Sequence, residues 1–190
     1  MSGCARSPSS QYSPVEVGAG PWTQLKPMLH YRTDLQVGDF TVVEPSARNY
    51  MAEVSSCSYR SGNRLEKFSG DGFHAFPVKV LAVGGELIPS NHQFDTLISI
   101  NVLEHVQNAF EYLTQLRQIL RPGGLLIFHE RYYYNAHIMD GDLLHPIRIK
   151  RRVLDIFLNS FEILFNNCSA AYGMRPGETG YYVIARRRSS

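Results

Sequence analysis

The residues at 94–128, FDTLISINVLEHVQNAFEYLTQLRQILRPGGLLIF, contain two apolar runs with a helical pattern between them. The first run, Phe94–Ile100, is apolar enough to be buried on both faces, as central parallel strands are. The turn Arg-Pro-Gly-Gly at 121–124 ends the helical pattern and leads into the second run at 125–128. The stretch therefore predicts one strand–helix–strand unit of a parallel sheet.

The helix inside this unit has a recognisable start and one apolar face. Asn108 and Glu111 have the spacing of a capping box. The apolar residues that recur at helical intervals are Phe110, Leu113, Leu116 and Leu120. Upstream, Ser46 is a candidate N-cap for another helix, in which Tyr50 and Val54 share a face.

The same alternation extends along the rest of the chain. Further apolar runs predict strands at 13–17, 40–43, 78–83, 161–165 and 181–185. Strands that alternate with helical patterns are typical of an α/β fold with a doubly wound, mostly parallel sheet. A glycine-rich link before 181–185 predicts that the last strand runs antiparallel to the others. The polar stretch at 55–75 shows no clear periodicity.

Length and composition set the broad class of protein. The chain has 190 residues, which we expect to form a single domain over 1–190, with 1–12 as a flexible N-terminal segment and 186–190 as a basic tail. Three cysteines lie far apart without a CxxC spacing, which argues against disulfides and zinc and favours the cytoplasm. No apolar run approaches the roughly 20 residues of a membrane span, so we expect no membrane partner.

Charge also bears on the choice of partner. The formal net charge is +2, and the basic residues cluster at 148–152 and 186–188. No aromatic pattern accompanies these runs, so they are interpreted as a solvated helix face and an end tag. We therefore expect no nucleic acid among the partners.

Two features predict a nucleoside ligand. The first strand runs into Gly18 and Gly20, where the backbone can approach a ligand closely. Glu44 follows the second strand, where an acid can accept hydrogen bonds from ribose hydroxyls. Glu16, two residues before the first glycine, is a candidate partner for a cationic group. A dinucleotide-binding turn would require a third glycine where Thr23 stands, which argues against pyrophosphate binding.

Three motifs then occur in a fixed order: Phe-Asp at 94–95, Leu-Glu-His at 103–105 and Arg-Pro-Gly-Gly at 121–124. Together with Glu-Leu-Ile-Pro at 86–89, the ordered set resembles the class I S-adenosylmethionine-dependent methyltransferases over about residues 15–187. The resemblance implies a seven-stranded Rossmann-like sheet, S-adenosylmethionine as the cofactor, and transfer of its methyl group to an acceptor, which we expect to be a small molecule.

The resemblance also implies roles for individual residues. The turn at 16–20 matches the loop that holds the methionine end of the cofactor, Glu44 the acid that binds both ribose hydroxyls, and residues 85–86 the segment beside the adenine. Asn101 and Val102 match the turn beneath the methionine moiety. The implied cofactor-binding residues are Glu16, Gly18, Ala19, Gly20, Glu44, Pro45, Gly85, Glu86, Asn101 and Val102.

Three departures from the family pattern stand out. Trp22 lies beside the position of the missing third glycine and is expected to crowd or shape the methionine end. Gly84 stands where many members carry an aspartate. Few residues precede the first strand, so we expect the usual helical cap to be missing, which leaves room for an oligomer or a capping partner.

Candidate catalytic groups follow the fifth predicted strand. His129 and His145 are candidate bases, because imidazole titrates near pH 6.5, and Arg131 is a candidate clamp for an acidic group on the acceptor. The tyrosines at 132–134 are interpreted as a pocket wall or core. His137 and Asp140 would permit a metal site with these histidines, but their spacing matches no ligand pattern, and we expect no metal.

Two other functions remain open at this point. A non-catalytic binding or scaffold subunit on the same fold is consistent with Trp22, Gly84 and the short N-terminus. A nicotinamide-dependent oxidoreductase is consistent with the glycine turn and Glu44 alone.

Overall fold

The computed structural model describes residues 12–31, 38–60, 64–69, 72–133, 147, 149–169 and 178–189. The described part contains eight strands that form one sheet. The strands are β1 (Pro14–Val17), β2 (Phe40–Val43), β3 (Arg64–Ser69), β4 (Gly72–Leu81), β5 (Phe94–Ile100), β6 (Leu120–Tyr133), β7 (Phe161–Ser169) and β8 (Glu178–Arg187).

Four α-helices and one short 3-10 turn accompany the described strands. The helices are α1 (Leu25–Tyr31), α2 (Ala47–Glu53), α3 (Ala109–Ile119) and α4 (Arg151–Leu158), and the 3-10 turn is Gly85–Leu87. Within the described ranges, every helix is too short or too polar to cross a lipid bilayer.

The strand order, β3-β4-β2-β1-β5-β6-β8-β7, confirms the predicted fold class. Strands β4, β2, β1, β5 and β6 pair in parallel, and β8 is antiparallel to both β6 and β7. The seven predicted strands thus form a mostly parallel sheet with an antiparallel last strand. The added strand, β3, pairs antiparallel with β4 and lies in the stretch without clear periodicity.

The winding of the chain reverses at β1. This strand pairs with β2 on one side and with β5 on the other, so the connections that leave β1 and β5 diverge to opposite halves of the sheet. In open α/β sheets, ligands bind at the carboxyl ends of the strands where this reversal opens a crevice. Gly18, Glu44 and Asn101 directly follow three of these ends.

Both faces of the sheet are covered by apolar layers. Leu97 and Ile98, adjacent in β5, belong to two separate clusters because successive strand residues point to opposite faces. Leu97 packs in a cluster with Leu116 of α3, and Ile98 packs in a cluster with Phe40 of β2. The prediction that β5 is buried on both faces is therefore confirmed.

Several local predictions need correction. Phe110 is 67% exposed, so the buried stripe of α3 consists of other residues, including Leu113 and Leu116. Leu120 begins β6 rather than ending the helix. Ser46 precedes α2 but its side chain makes no capping hydrogen bond. The predicted basic tail begins inside β8, which ends at Arg187.

Candidate active site at the strand ends

The glycine turn after β1 is held by backbone geometry that requires glycine. Gly18 has a φ of +74° and Gly20 a φ of +57°, both in the left-handed region. A Cβ atom on Gly18 would lie 2.4 Å from a methyl group of Val102. The Gly18 N–H donates to the Val43 carbonyl at 2.8 Å, and the Gly20 N–H donates to Glu44. Since these two amides bond within the protein, they shape the turn rather than bind an anion.

Glu44 is the acid that this turn orients. Its side chain is 7% exposed, with Oε2 accepting the Gly20 N–H at 3.0 Å and Oε1 accepting the Ser46 N–H at 3.0 Å. An ionised carboxylate has about four acceptor positions. Each oxygen of Glu44 therefore keeps one position for a hydroxyl group, in an orientation that the two amides fix.

Glu44 and Gly20 lie on the wall of one cavity of about 580 Å³. Ligand sites commonly have volumes of about 300–1,000 Å³. The predicted cofactor-binding residues that line this cavity are Gly18, Gly20, Glu44, Pro45, Gly85, Glu86, Asn101 and Val102. The structure thus brings eight of these residues together, from four different strand ends.

Two other predicted cofactor residues, Glu16 and Ala19, are not among the lining residues. Both carboxylate oxygens of Glu16 accept the Gln24 N–H at 2.9 Å, and Oε2 also accepts the Leu25 N–H. Burial raises the pKa of Glu16 to about 7 despite these bonds. Glu16 therefore accepts from the backbone amides at the start of α1 rather than from a cationic ligand, and Ala19 packs in the cluster that contains Phe40.

Trp22 also differs from the expectation. Its side chain is 61% exposed, and its indole N–H donates to the Ser56 carbonyl at 2.9 Å. Trp22 is not among the residues that line the cavity, so it does not crowd the glycine turn from inside.

The turn after β5 is held by His129. Asn101 has a φ of +56°, a conformation that asparagine tolerates better than most residues. Its N–H donates to the His129 carbonyl at 2.9 Å, and its Oδ1 lies 2.9 Å from the His129 Nδ1. Burial and the charge of Arg131 lower the pKa of His129, which favours the neutral ring. His129 does not line the cavity and acts as a positioning residue for Asn101.

Glu130 supports the same turn from behind and was assigned no role from sequence. Its side chain is 1% exposed, and Oε1 accepts the N–H groups of Val102 at 2.9 Å and Leu103 at 3.1 Å. Burial raises the pKa of Glu130 to about 8, against the effect of these two bonds. A buried acid beneath a strand end has no sequence signature beyond its place in an apolar strand.

Tyr59 is a second residue that sequence reasoning missed. It is fully buried, and its hydroxyl donates to the Gly20 carbonyl at 2.7 Å. The Gly20 residue is therefore fixed on both sides, by Glu44 at its N–H and by Tyr59 at its carbonyl. Tyr59 lies within the stretch that showed no periodicity, so no local pattern could have marked it.

The other residues singled out after the fifth predicted strand are placed as follows. An Arg131 Nη atom lies 4.0 Å from a Glu104 carboxylate oxygen, outside the cavity lining. Tyr132 is fully buried in the core. His145 lies outside the described residues, as do His137 and Asp140. In the part of the chain that is described, no three acidic, His or Cys side chains are grouped as a metal site requires.

Comparison with protein families identifies the class of domain that the chain contains. A family described as a methyltransferase domain matches residues 11–156. A tRNA U34 carboxymethyltransferase from Cellvibrio japonicus is 41% identical over 76 residues, which is 40% of this chain and 22% of the relative. The corresponding protein of Shewanella sp. (strain W3-18-1) is 30% identical over 136 residues, 72% of this chain and 34% of the relative. The chain thus spans about a third or less of these relatives' lengths.

Solved structures agree at the level of the fold. The N-methyltransferase NodS from Bradyrhizobium japonicum, in complex with S-adenosyl-L-homocysteine, superposes with a TM-score of 0.62. The sequences are 13% identical, and the match covers 94% of this chain and 79% of NodS. At this identity the likeness concerns the fold alone.

The cavity wall fits an adenosine-containing cofactor. A Cβ atom added to Gly20 would meet nothing within 4 Å, so the turn leaves open space beside the Glu44 carboxylate. Glu44 can accept hydrogen bonds from ribose hydroxyls, and Val102, Val106 and Leu87 add apolar surface suited to a base. The residues that line the cavity therefore match the ribose and the base of an adenosine-containing cofactor.

The buried acid Glu130 makes the stability of the fold depend on pH. Its folded pKa of about 8 exceeds the ordinary value of 4.5, so the folded chain keeps a proton that the unfolded chain releases between these pH values. Stability is therefore lost as pH rises, by up to about 1.4 kcal/mol per pH unit for each retained proton.

Glu130→Gln keeps an oxygen for the two amides but cannot ionise, so we expect a smaller loss of unfolding free energy with rising pH. Urea denaturation at several pH values between 4.5 and 8 measures this slope. Glu53→Gln, at the exposed end of α2, is the matched control and should keep the original slope. Equal slopes for all three proteins would contradict a buried, protonated Glu130.

Proposed function

The chain belongs to the S-adenosylmethionine-dependent methyltransferases, and we propose that it transfers the methyl group to a nucleoside of a folded RNA of the tRNA type. S-adenosylmethionine supplies a methyl group bound to a positively charged sulfur, which a nucleophile can attack. The observation that supports the cofactor-binding step is the single cavity that joins the glycine turn, Glu44 and the turn at Val102. Family membership decides against a nicotinamide-dependent oxidoreductase. Methyl transfer in the acceptor assay below is what separates an enzyme from a non-catalytic scaffold subunit on the same fold.

The expectation of no nucleic acid among the partners is wrong, and the small-molecule acceptor stays an untested prediction. The curated relatives that match the chain at 41% and 30% identity are both named for a nucleoside of tRNA. The expectation rested on a net charge of +2, which is a sum over the whole chain, and on the lack of an aromatic pattern in the two basic runs.

The chain's own residues supply positioning. Glu44, fixed by two amides, accepts hydrogen bonds from the ribose. The turn at Asn101 and Val102 is held from behind by His129 and Glu130, so its cavity wall keeps one shape. Alignment of reacting groups can provide about 7–11 kcal/mol of a reaction barrier without an acid or base at the reacting atom. This is consistent with His129 bonding to Asn101 instead of facing the cavity.

Gly20→Ala tests the cofactor site against a matched control. Gly20 and Gly123 both have positive φ and both would place a Cβ in open space, but only Gly20 lines the cavity. Alanine at either position costs about 1–2 kcal/mol of backbone strain. We expect only Gly20→Ala to weaken binding of S-adenosylhomocysteine, by about tenfold or more, in isothermal titration calorimetry. Equal affinities for the two variants would place the ligand elsewhere.

The acceptor is tested by incubating the chain with labelled S-adenosylmethionine and unmodified tRNA. We expect label in nucleosides after digestion of the RNA, and mass spectrometry identifies the group added. Transfer to small acceptors with none to RNA would contradict the proposal.

Glu44→Gln should lower the cofactor affinity by about 1.5–3 kcal/mol, because a charged hydrogen-bond acceptor is lost.

A further inference from the structure

A group of arginines lies at the edge of the sheet opposite the cavity. Strands β5, β6 and β7 begin at this edge, and the antiparallel strand β8 ends there, with Arg187 paired to Phe161. The arginines of this basic edge are Arg117 at the end of α3, Arg121 at the start of β6, Arg186 and Arg187 at the end of β8, and Arg188 directly after it. The fold therefore places Arg117 and Arg121 beside the run at 186–188, which was interpreted from sequence as an end tag.

The basic edge keeps most of its charge. Two of its arginines have carboxylate partners: Arg121 lies 3.0 Å from Asp95, and Arg186 lies 3.5 Å from Glu162. The five arginines and their two carboxylate partners together carry a net charge of +3. The basic edge therefore carries more positive than negative charge.

The backbone anchors this cluster in place. Arg187 donates from its guanidinium to the Leu120 carbonyl, and Arg188 donates from Nε to the Phe161 carbonyl at 3.1 Å. Burial and the like charge of Arg117 lower the pKa of Arg187. Like charges held close to one another by a rigid strand end are stabilised by a bound anion, since an anion cancels their repulsion.

We propose that the basic edge binds the phosphate backbone of the RNA acceptor while the target nucleoside lies at the cavity. This inference rests on the proposed function. The seven residues of β5 separate the two sites by about 20 Å, a span that a folded RNA bridges and a free nucleoside does not. Duplex RNA is bound largely through its shape and phosphates, so the lack of a stacking aromatic pattern in these runs does not argue against it.

The test removes two arginines whose side chains make no described bond to a backbone carbonyl. The variant is Arg117→Gln with Arg186→Gln, and the control is Arg48→Gln with Lys79→Gln, two exposed residues in α2 and β4. Binding of unmodified tRNA to the full chain is measured by fluorescence anisotropy over a range of salt concentrations. We expect the slope of log affinity against log salt to fall by about two in the variant and to stay unchanged in the control.

Steady-state methyl transfer to tRNA and the affinity for S-adenosylhomocysteine are measured on the same proteins. The variant should show a higher KM for tRNA with unchanged kcat and unchanged S-adenosylhomocysteine affinity. An unchanged salt slope, or no tRNA binding by the unaltered chain, would overturn the basic edge as an RNA site. Arginine-dependent RNA binding without methyl transfer would support the basic edge and contradict only the proposed acceptor.

Discussion

The hydrogen bond from the Gly20 N–H to the Glu44 carboxylate joins two strand ends into one site. The turn can present this amide only because Gly18 and Gly20 adopt a left-handed backbone. It stays in register because β1 and β2 are paired and Gly18 bonds to the last residue of β2. Tyr59 then fixes the Gly20 carbonyl. The cavity wall is thus determined before any ligand arrives.

On the other side of the reversal, the turn after β5 depends on buried polar groups of β6. His129 and Glu130 are adjacent, so they point to opposite faces of the strand and bond to successive residues of the turn, Asn101 and Val102. Each is almost fully buried, and burial shifts the pKa of each toward the neutral form. A neutral, hydrogen-bonded support costs less to bury than an ionised one, which explains how a polar site can lie on an apolar sheet.

The fold could be predicted from sequence because its signals are local. The apolar run Phe94–Ile100 and the glycine turn each specify their own conformation, and Glu44 is placed by the strand that precedes it. Tyr59 and Glu130 could not be found this way, since their partners, Gly20 and Val102, are distant in sequence. Glu16 was predicted to bind a cationic group because of its position just before the glycine turn. Its actual contacts with the start of α1 depend on the path of the chain after that turn, which a local pattern does not specify. The basic edge was missed for the same reason.

The central claim is that Glu44, oriented by the glycine turn, holds the ribose of the cofactor. A crystal structure of the chain with S-adenosylhomocysteine tests this most directly. The account predicts both ribose hydroxyls within hydrogen-bonding distance of the Glu44 carboxylate, with the Gly20 amide bond to Glu44 intact. A ligand bound elsewhere, or a ribose held by other residues while Glu44 faces away, would contradict it.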